Sequence, residues 1–308
     1  MKKLYAVVLL YNTYIEDSIT CKKIEEANCS NLHIIIVDNS TIILNNEEAC
    51  KNKNYEYISM NGNKGLSIPY NKAIDFIKSK EDFNENDYII WLDDDTELTK
   101  EYFEKLNNAI EEKPEVDIFA PIVYGQDGVI YSPNNARYIK NKLVKDEKEV
   151  DNIIKYNAIN SCLCVKLKVY NNYRYDETLF LDQTDQNFFD DMRERKANFY
   201  TIKTIIHQNF SQRGENLDPK KMLIRYEIRT KDIMRYGRKK ISNNFKSLIK
   251  ACGLALQMGI KCKYIKITIK CSLIAIQMFF VNINNIIKRK NKWKYYILWI
   301  MLTKVELC

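Results

Sequence analysis

The stretch DYIIWLDDDTEL, residues 87–98, joins a run of large apolar residues to three consecutive carboxylates, Asp93, Asp94 and Asp95. Adjacent acids repel one another, and their removal from water is costly unless a positive charge lies close to them. The apolar run has the length and composition of a buried strand. The stretch therefore predicts a divalent metal ion at the end of a buried strand.

Similar apolar runs alternate with helical patterns along the first two thirds of the chain. The predicted strands are residues 4–12, 32–40, 55–60, 88–92, 116–124, 157–167 and 199–206, and predicted helices include residues 15–28 and 98–112. This alternation predicts an α/β fold with a mainly parallel central sheet. Ligands bind at the carboxyl ends of such strands, so Asn12, Asp38 and the three acids are expected on one rim.

The charge is unevenly distributed over the 308 residues, whose net charge is +8. From Arg238 onward there are 15 basic residues and one acid, Glu306, whereas the remainder carries 33 basic and 39 acidic residues. We therefore expect a mildly acidic body, residues 1–237, and a basic helical tail, residues 238–308.

The apolar runs of that tail, residues 272–281 and 295–302, are shorter than the roughly 20 residues that span a bilayer. Lysines next to Trp, Tyr and Leu predict helices that lie on an anionic membrane. This would place a cytoplasmic protein peripherally at the inner face of the cell membrane. The alternatives are helices that pack on the body and, less favoured because no binding motif accompanies the charge, contact with nucleic acid.

The cysteines indicate a reducing compartment. There are nine, and only Cys162 and Cys164 are closely spaced, with a single residue between them that gives poor geometry for a zinc clip. The amino terminus has a basic start and a short apolar stretch without a small-residue cleavage site, so we expect a first strand there rather than a signal peptide.

Six segments, in order, resemble those of family 2 glycosyltransferases with the GT-A fold. They are VVLLYN, IIIVDNS, NKGLSIPYNKAI, WLDDDTEL, YDETLFLDQTDQNFF and IIHQNFS, within about residues 4–210. The later segments are most similar to rhamnosyltransferase-like and related polysaccharide-assembly members. The resemblance implies a Rossmann-like domain and a metal-dependent inverting enzyme. It would move a sugar from a nucleoside-diphosphate sugar to a hydroxyl of a glycan or lipid-linked acceptor.

The resemblance also implies which residues bind the donor. These are Asn12, Asp38, Asn63, Gly65, Asn71, Asp93, Asp94 and Asp95. Asp38 would contact the nucleoside, Asp93 would approach the ribose, and Asp95 together with Asp93 would hold Mg²⁺ or Mn²⁺, which prefer oxygen ligands. His207 matches a family histidine near the diphosphate and the metal, and its neutral imidazole would be a further metal ligand.

Each assignment has a structural alternative. The acids can cap the helix that follows them, Asp38 can form a turn with its neighbours, and His207 can simply end a strand. The chain also departs from the family at Ile68, Pro69 and Tyr70, where relatives often carry smaller residues, so individual donor contacts of this loop stay open.

The resemblance implies a catalytic base at the start of a helix, a fixed step after an aromatic residue. Counted from Phe180, that position is Asp185, and Asp182 matches an acid of the rhamnosyltransferase-like branch. A carboxylate there would take the proton of the acceptor hydroxyl. Helix capping is the alternative for both acids. Many relatives have a second acid where this chain has Asn187.

Two other functions are compatible with parts of this pattern. A strand that ends in D-x-D also opens haloacid-dehalogenase-type phosphatases, with Asp190 and Asp191 as a later acid pair, but those enzymes carry the motif near their first strand. A degenerate transferase that only binds a glycan or a partner is the second. Intact Asp93, Asp95 and Asp185 argue against it.

Overall fold

The computed structural model describes residues 2–210 and 217–305, with side chains through residue 288. The chain divides into two compact units. The first comprises Met1–Phe180 and Thr184–Arg213, and the second comprises Leu181–Gln183 and Gly214–Cys308. The predicted boundary at Arg238 falls inside the second unit.

The first unit contains the sheets and the helices that cover them. Its strands are β1 Leu4–Leu10, β2 Leu32–Asp38, β3 Glu56–Ser59, β4 Tyr88–Asp93, β5 Ile118–Gly125, β6 Ile130–Ser132, β7 Asn134–Asn135, β8 Lys142–Leu143, β9 Tyr156–Asn157, β10 Leu163–Lys166 and β11 Phe199–Gln208. Its α-helices are α1 Ile19–Ala27, α2 Asn46–Asn52, α3 Ser67–Lys78, α4 Lys100–Glu112 and α5 Thr184–Glu194.

The central sheet has the strand order β11-β5-β10-β4-β1-β2-β3, and β6 pairs with β5 at its side. Strands β1 to β4 pair in parallel, as do β5 and β11, whereas β10 runs antiparallel to both of its neighbours. The prediction of an α/β fold with a mainly parallel sheet is confirmed.

Helices cover both faces of this sheet, which explains the continuous apolar runs. Alternate residues of β1 enter two different cores: Leu4 and Ala6 pack on one face, and Tyr5 and Val7 pack on the other. All four are fully buried. A strand buried on both faces has no polar alternation, as the sequence of β1 indicates.

The predicted strand at residues 157–167 is two strands in the structure. β9 belongs to a small antiparallel sheet with the order β8-β7-β9, and β10 belongs to the central sheet. The turn between them holds Cys162 at a φ of 60°, and the Asn160 carbonyl accepts a hydrogen bond from the Leu163 amide at 2.9 Å. The sequence signals this turn only weakly, through Asn160 and Ser161, because it contains neither Gly nor Pro.

The second unit is helical, with α6 Pro219–Tyr236, α7 Ile241–Lys261 and α8 Ile265–Val305. Tyr226 of α6, Ala255 of α7 and Ile267 of α8 share one apolar cluster. The buried Asn282 amide donates to the Asn244 side chain at 2.9 Å. These contacts join α6 to the helices after it and explain why the unit begins before Arg238.

Among the described residues, one segment is long and apolar enough to cross a membrane, Ile265–Lys288 within α8. This corrects the expectation of short runs only, because the apolar stretch continues on both sides of Lys270. A single such helix is weak evidence for a span. The predicted runs at residues 288–294 and 295–302 lie almost entirely beyond the side chains that the structure describes.

Candidate active site

The ends of β2 and β4 lie on either side of the end of β1. In the sheet register Asp93 is opposite Leu9, and Asp38 is opposite Leu10. The carboxyl ends of parallel strands meet at one edge, so these two acids share a rim as the sequence predicts.

Asp93 ends β4 and is held by Gln208, the last residue of β11. The Gln208 Nε2 donates to Asp93 Oδ2 at 3.0 Å, while the Gln208 Oε1 is buried and has no protein partner among the described residues. Burial and then the charge of Asp95 raise the pKa of Asp93 to about 6, although the Gln208 hydrogen bond opposes this change. Asp93 is therefore a carboxylate whose charge the surrounding protein does not balance.

The two following acids have different environments. Asp94 Oδ2 accepts a hydrogen bond from the Thr13 hydroxyl at 2.7 Å, so this side chain holds the loop after β1. Asp95 is exposed, and partial burial together with the charge of Asp94 raises its pKa. Asp95 thus faces outward beside Asp93, and Asp94 is engaged within the protein.

His207 does not lie on the same side of β11 as Gln208. Successive side chains of a strand point to opposite faces, and Gln208 reaches Asp93 while His207 is exposed against the Tyr124 ring, with 6.0 Å between the ring centroids. His207 was a candidate because its position matches a family histidine, whereas Gln208 was missed because its only signal was its position one residue later.

Asp38 lines a cavity of about 350 Å³ at the end of β2. Its carboxylate is buried and accepts hydrogen bonds from the Ser40 amide at 3.0 Å, the Asn46 amide group at 2.9 Å and the Tyr57 hydroxyl at 3.1 Å. Burial and the Asp38 charge raise the pKa of Tyr57 to about 12. Asp38 is thus fixed at the wall of a polar cavity, and the turn with Ser40 is also present.

Asn12 joins the loops after β1 and β2. Its backbone amide donates to the Ser40 hydroxyl at 2.8 Å, and its side-chain Oδ1 accepts from the Thr41 backbone amide at 2.8 Å. Its backbone has a φ of 55°, in the left-handed region that asparagine tolerates. Its side chain therefore supports the wall of the Asp38 cavity.

The loop before α3 packs against Phe180. Gly65 has a φ of 77°, and a Cβ built on it would lie 2.2 Å from the Phe180 carbonyl oxygen. The Leu66 amide donates to that same oxygen at 2.6 Å. Asn63 Oδ1 caps this turn by accepting from the Gly65 amide at 2.9 Å. Only glycine permits this approach of the two backbones.

Asn71 is buried inside α3 and holds the segment that precedes the predicted base. Its Oδ1 accepts from the Tyr175 amide at 2.9 Å, and its Nδ2 donates to the Tyr175 carbonyl at 3.0 Å and to Glu177 at 2.9 Å. These contacts engage both ends of its side-chain amide. The structure therefore places Asn71 as a support of the loop rather than on the rim.

Asp185 lies in the first turn of α5. Asp185 and Asp93 both influence the pKa of Tyr70. The pKa of the buried Tyr70 is raised well above its usual value, first by burial and then by the charges of Asp93 and Asp185. The Tyr70 ring packs on Trp91 with 4.4 Å between centroids. Both predicted acids thus act electrostatically on Tyr70, a residue at which the sequence departs from the family.

Asp182 belongs to the second unit and is neutralised there. Its carboxylate pairs with Arg225 and lies 3.7 Å from the Nε of Arg229. Its own amide donates to the fully buried Asp232 at 2.9 Å, as does that of Leu181 at 2.8 Å. Asp182 therefore forms ion pairs that hold the segment immediately before α5.

The acids on the rim suit a hard cation, though they are few. Within residues 2–210 and 217–305, no three His, Cys, Asp or Glu side chains converge as a complete metal site. Asp93, Asp95 and Gln208 nevertheless offer oxygen ligands. The pKa of Asp93 is raised, and the Gln208 Oε1 has no protein partner among the described residues. Mg²⁺ and Mn²⁺ commonly take one or two carboxylates and complete their shell with phosphate oxygens and water. The residues present fit such an ion.

Three solved structures illustrate which known proteins have a similar fold. The mannosyltransferase PcManGT from Pyrobaculum calidifontis, in complex with GDP-Man and Mn²⁺, has a TM-score of 0.51 and 11% identity over 92% of this chain and 87% of that one. S. aureus TarS has a TM-score of 0.47 and 14% identity over 81% of this chain, which spans only 43% of the TarS chain. A Mycobacterium tuberculosis glucosyl-3-phosphoglycerate synthase, with Mn²⁺, UDP and glucosyl-3-phosphoglycerate, has a TM-score of 0.49 and 9% identity over 76% and 80%.

The parallel sheet with acids at the ends of β2 and β4 has the architecture of the GT-A class of transferases. The chain belongs to the family described as Glycosyl transferase family 2, whose model matches residues 6–174, more than half of its length. It is therefore a glycosyltransferase. No curated protein matches the chain in sequence, and its membership of the rhamnosyltransferase-like branch stays a prediction.

Proposed function

We propose that this glycosyltransferase is metal-dependent and inverting. It transfers a sugar from a nucleoside-diphosphate sugar to a hydroxyl of a glycan or lipid-linked acceptor in the synthesis of a cell-surface polysaccharide. The observation that carries the proposal is the arrangement of α3 between the rim and α5. Its Tyr70 ring packs on Trp91 of β4, the strand that ends in Asp93. Its Ser67 hydroxyl lies 3.5 Å from that of Thr184, the residue before Asp185. On this proposal, the acid at the donor rim and the acid at the helix start serve a single site.

The donor binds along the rim from β2 to β4. Its nucleoside enters the cavity beside Asp38, whose volume of about 350 Å³ lies within the range of small-molecule pockets. Asp93 and Asp95 would hold Mg²⁺ or Mn²⁺ together with the diphosphate. Such an ion would neutralise the charge that develops on the leaving diphosphate. The Gln208 amide orients the Asp93 carboxylate through its hydrogen bond.

Asp185 is the general base. Its carboxylate takes the proton from the acceptor hydroxyl as that oxygen attacks the anomeric carbon, and the bond to the diphosphate breaks on the opposite face of the sugar. Inversion follows because attack and departure occur on opposite faces. General-base catalysis contributes roughly 10² to 10⁴ in rate.

Binding of the donor tests the proposal without knowledge of the acceptor. A thermal-shift screen of nucleotide-sugars, each with and without Mn²⁺, should find one that stabilises the protein only when the ion is present. A ligand at about 100 times its dissociation constant adds about 2.7 kcal/mol to the free energy of unfolding. If no nucleoside-diphosphate sugar stabilises the protein under either condition, the proposal is wrong.

The second unit binds the protein to the inner face of the cell membrane. Its helices α7 and α8 carry large apolar side chains that are between 43% and 68% exposed and recur mostly every three or four residues. They are Phe245, Ile249, Leu256 and Ile260 on α7, and Ile265, Ile269, Leu273, Ile276 and Phe280 on α8. With the 15 basic residues of the tail, these faces suit an anionic bilayer interface. A peripheral cytoplasmic enzyme fits this arrangement.

A further inference from the structure

A second cavity of the first unit is lined by cations. It lies on the small sheet of β7, β8 and β9, has a volume of about 330 Å³, and is lined by Arg137, Lys142 and Lys155 together with Asn135 and Asn152. No acid lines it. The cavity at Asp38 has the opposite character, since Asp38 and Glu47 line it and no cation does.

The three cations that line this cavity are not neutralised by neighbouring acids. Some lysines and arginines of this unit do pair with acids, as Lys53 does with Glu25 at 2.8 Å. Arg137, Lys142 and Lys155 have no acid within 4.0 Å in the part of the chain that the structure describes. Like charges that face one cavity repel one another, and a bound anion would relieve that repulsion.

Buried and half-buried asparagines fix the shape of this cavity. Asn135 Oδ1 accepts hydrogen bonds from the amides of Ile154 at 3.0 Å and Lys155 at 3.2 Å. Asn141 Oδ1 accepts from the Arg137 amide at 3.1 Å and closes the turn that carries this arginine. The backbone that presents the cations is therefore preorganised.

Asn141 joins the cavity to α5, the helix that carries the proposed general base, Asp185. Gln186 follows Asp185 in the chain, and its Nε2 donates a hydrogen bond to Asn141 Oδ1 at 3.4 Å. On the same helix, the Arg193 guanidinium donates to the Tyr156 carbonyl of β9. The cation-lined cavity thus lies beside α5, the helix that carries Asp185.

We propose that this cavity binds a phosphate group carried by the acceptor. An arginine fork and two ammonium groups match the oxygens of a phosphate, and charge-assisted hydrogen bonds of this kind are strong. The assignment deepens the proposed function and rests on it for the identity of the acceptor site. It names phosphorylated acceptors, rather than neutral glycans, as the substrate class.

Binding of inorganic pyrophosphate, measured by calorimetry in EDTA, tests the cavity apart from catalysis. EDTA removes the ion through which the donor rim would take a diphosphate. Wild type should bind pyrophosphate, and the triple variant Arg137→Gln, Lys142→Gln, Lys155→Gln should bind it about tenfold or more weakly. The matched control Lys140→Gln, Lys145→Gln, Lys148→Gln removes the same charge from the same segment outside the cavity.

The control should keep wild-type affinity. Equal weakening in both triple variants would show a diffuse effect of net charge. Unchanged affinity in the cavity variant would show that the cavity does not bind pyrophosphate. Either result overturns the proposal. These outcomes do not depend on whether a nucleotide-sugar binds, so they are distinct from failure of the proposed function. Because all six side chains are exposed, the variants are expected to fold, which circular dichroism checks.

Turnover then identifies the source of the phosphate. The cavity variant should raise the acceptor KM about tenfold or more while the donor KM stays unchanged. If this holds for a soluble phosphorylated glycan, the phosphate belongs to the glycan; if it holds only for a lipid diphosphate acceptor in vesicles, it belongs to the lipid. An unchanged acceptor KM with both acceptors would contradict the assignment.

Discussion

At the scale of single residues, the raised pKa of Asp93 makes stability depend on pH. It is half-buried, and its pKa of about 6 lies above the ordinary value of 3.8. The folded protein therefore binds this proton more tightly than the unfolded chain does, and the free energy of unfolding falls as the pH rises from about 4 to about 6.

Asp93→Asn should make the metal-free protein more stable at pH 8. The amide keeps the contact with Gln208 and removes the unbalanced charge, so we expect about 1–2 kcal/mol of stabilisation, reduced from the full value of the pKa shift because the side chain is half-exposed. Thermal melts in EDTA at pH 5 and pH 8 measure this, with the exposed Glu81→Gln as control. A gain of equal size at both pH values would contradict the argument.

The sequence predicted the acids of the rim but not the groups that hold them. Asp38, Asp93 and Asp95 follow apolar strands, and a strand-end pattern is visible in a single sequence. Gln208 was missed because amide side chains are common at strand ends, and its contact joins residues 115 positions apart. Tyr70 was noticed only as a departure from the family, since its burial and its packing on Trp91 are properties of the fold.

At the scale of elements, the turn at Gly65 controls the approach of α3 to the segment before α5. Gly65→Ala introduces a Cβ 2.2 Å from the Phe180 carbonyl oxygen at a φ of 77°. We expect it to destabilise the protein by about 2–4 kcal/mol, more than strain at a positive φ alone. Urea denaturation measures the change.

The matched control is Gly62→Ala. Gly62 has a φ of 109°, and a Cβ there would meet nothing within 4 Å. This variant should lose only the cost of the backbone strain, about 1–2 kcal/mol. Equal losses in both variants would show that the contact with Phe180 contributes nothing.

Element boundaries were predictable where caps are local, and were missed where tertiary contacts end an element. The predicted helix at residues 98–112 begins at Lys100, because the Thr99 hydroxyl accepts from the Tyr102 amide. The split of residues 157–167 into two strands depends on which sheet each half joins. No pattern within the segment itself carries that information.

At the scale of the whole molecule, the exposed apolar faces of the second unit should bind anionic vesicles. Each Lys or Arg near the surface contributes around 1 kcal/mol, and salt weakens this attraction. We expect Leu273→Ser to weaken vesicle binding, whereas Ile224→Ser on α6, which removes a similarly exposed side chain, should not; the two are 62% and 64% exposed. Sedimentation with phosphatidylglycerol vesicles checks this.

Equal sedimentation with neutral and anionic vesicles at low salt would contradict the electrostatic part of this account. An alkaline carbonate wash separates two further outcomes, because it releases a peripheral protein and leaves a spanning one in the membrane. Retention after the wash would identify Ile265–Lys288 as a span. The sequence indicated a basic apolar tail. The length of its apolar segment follows from the structure, in which α8 is one continuous helix.

The most direct measurement of the central claim compares turnover and donor affinity in Asp185→Asn and Asp182→Asn. Asp185 lies in the first turn of α5, whereas Asp182 is paired with Arg225 and Arg229. As the general base, Asp185→Asn should keep donor affinity and lose roughly 10²- to 10⁴-fold in turnover. Asp182→Asn should retain a larger share of turnover. Turnover within a few-fold of wild type in Asp185→Asn, with a verified acceptor, would contradict the account and move the base elsewhere.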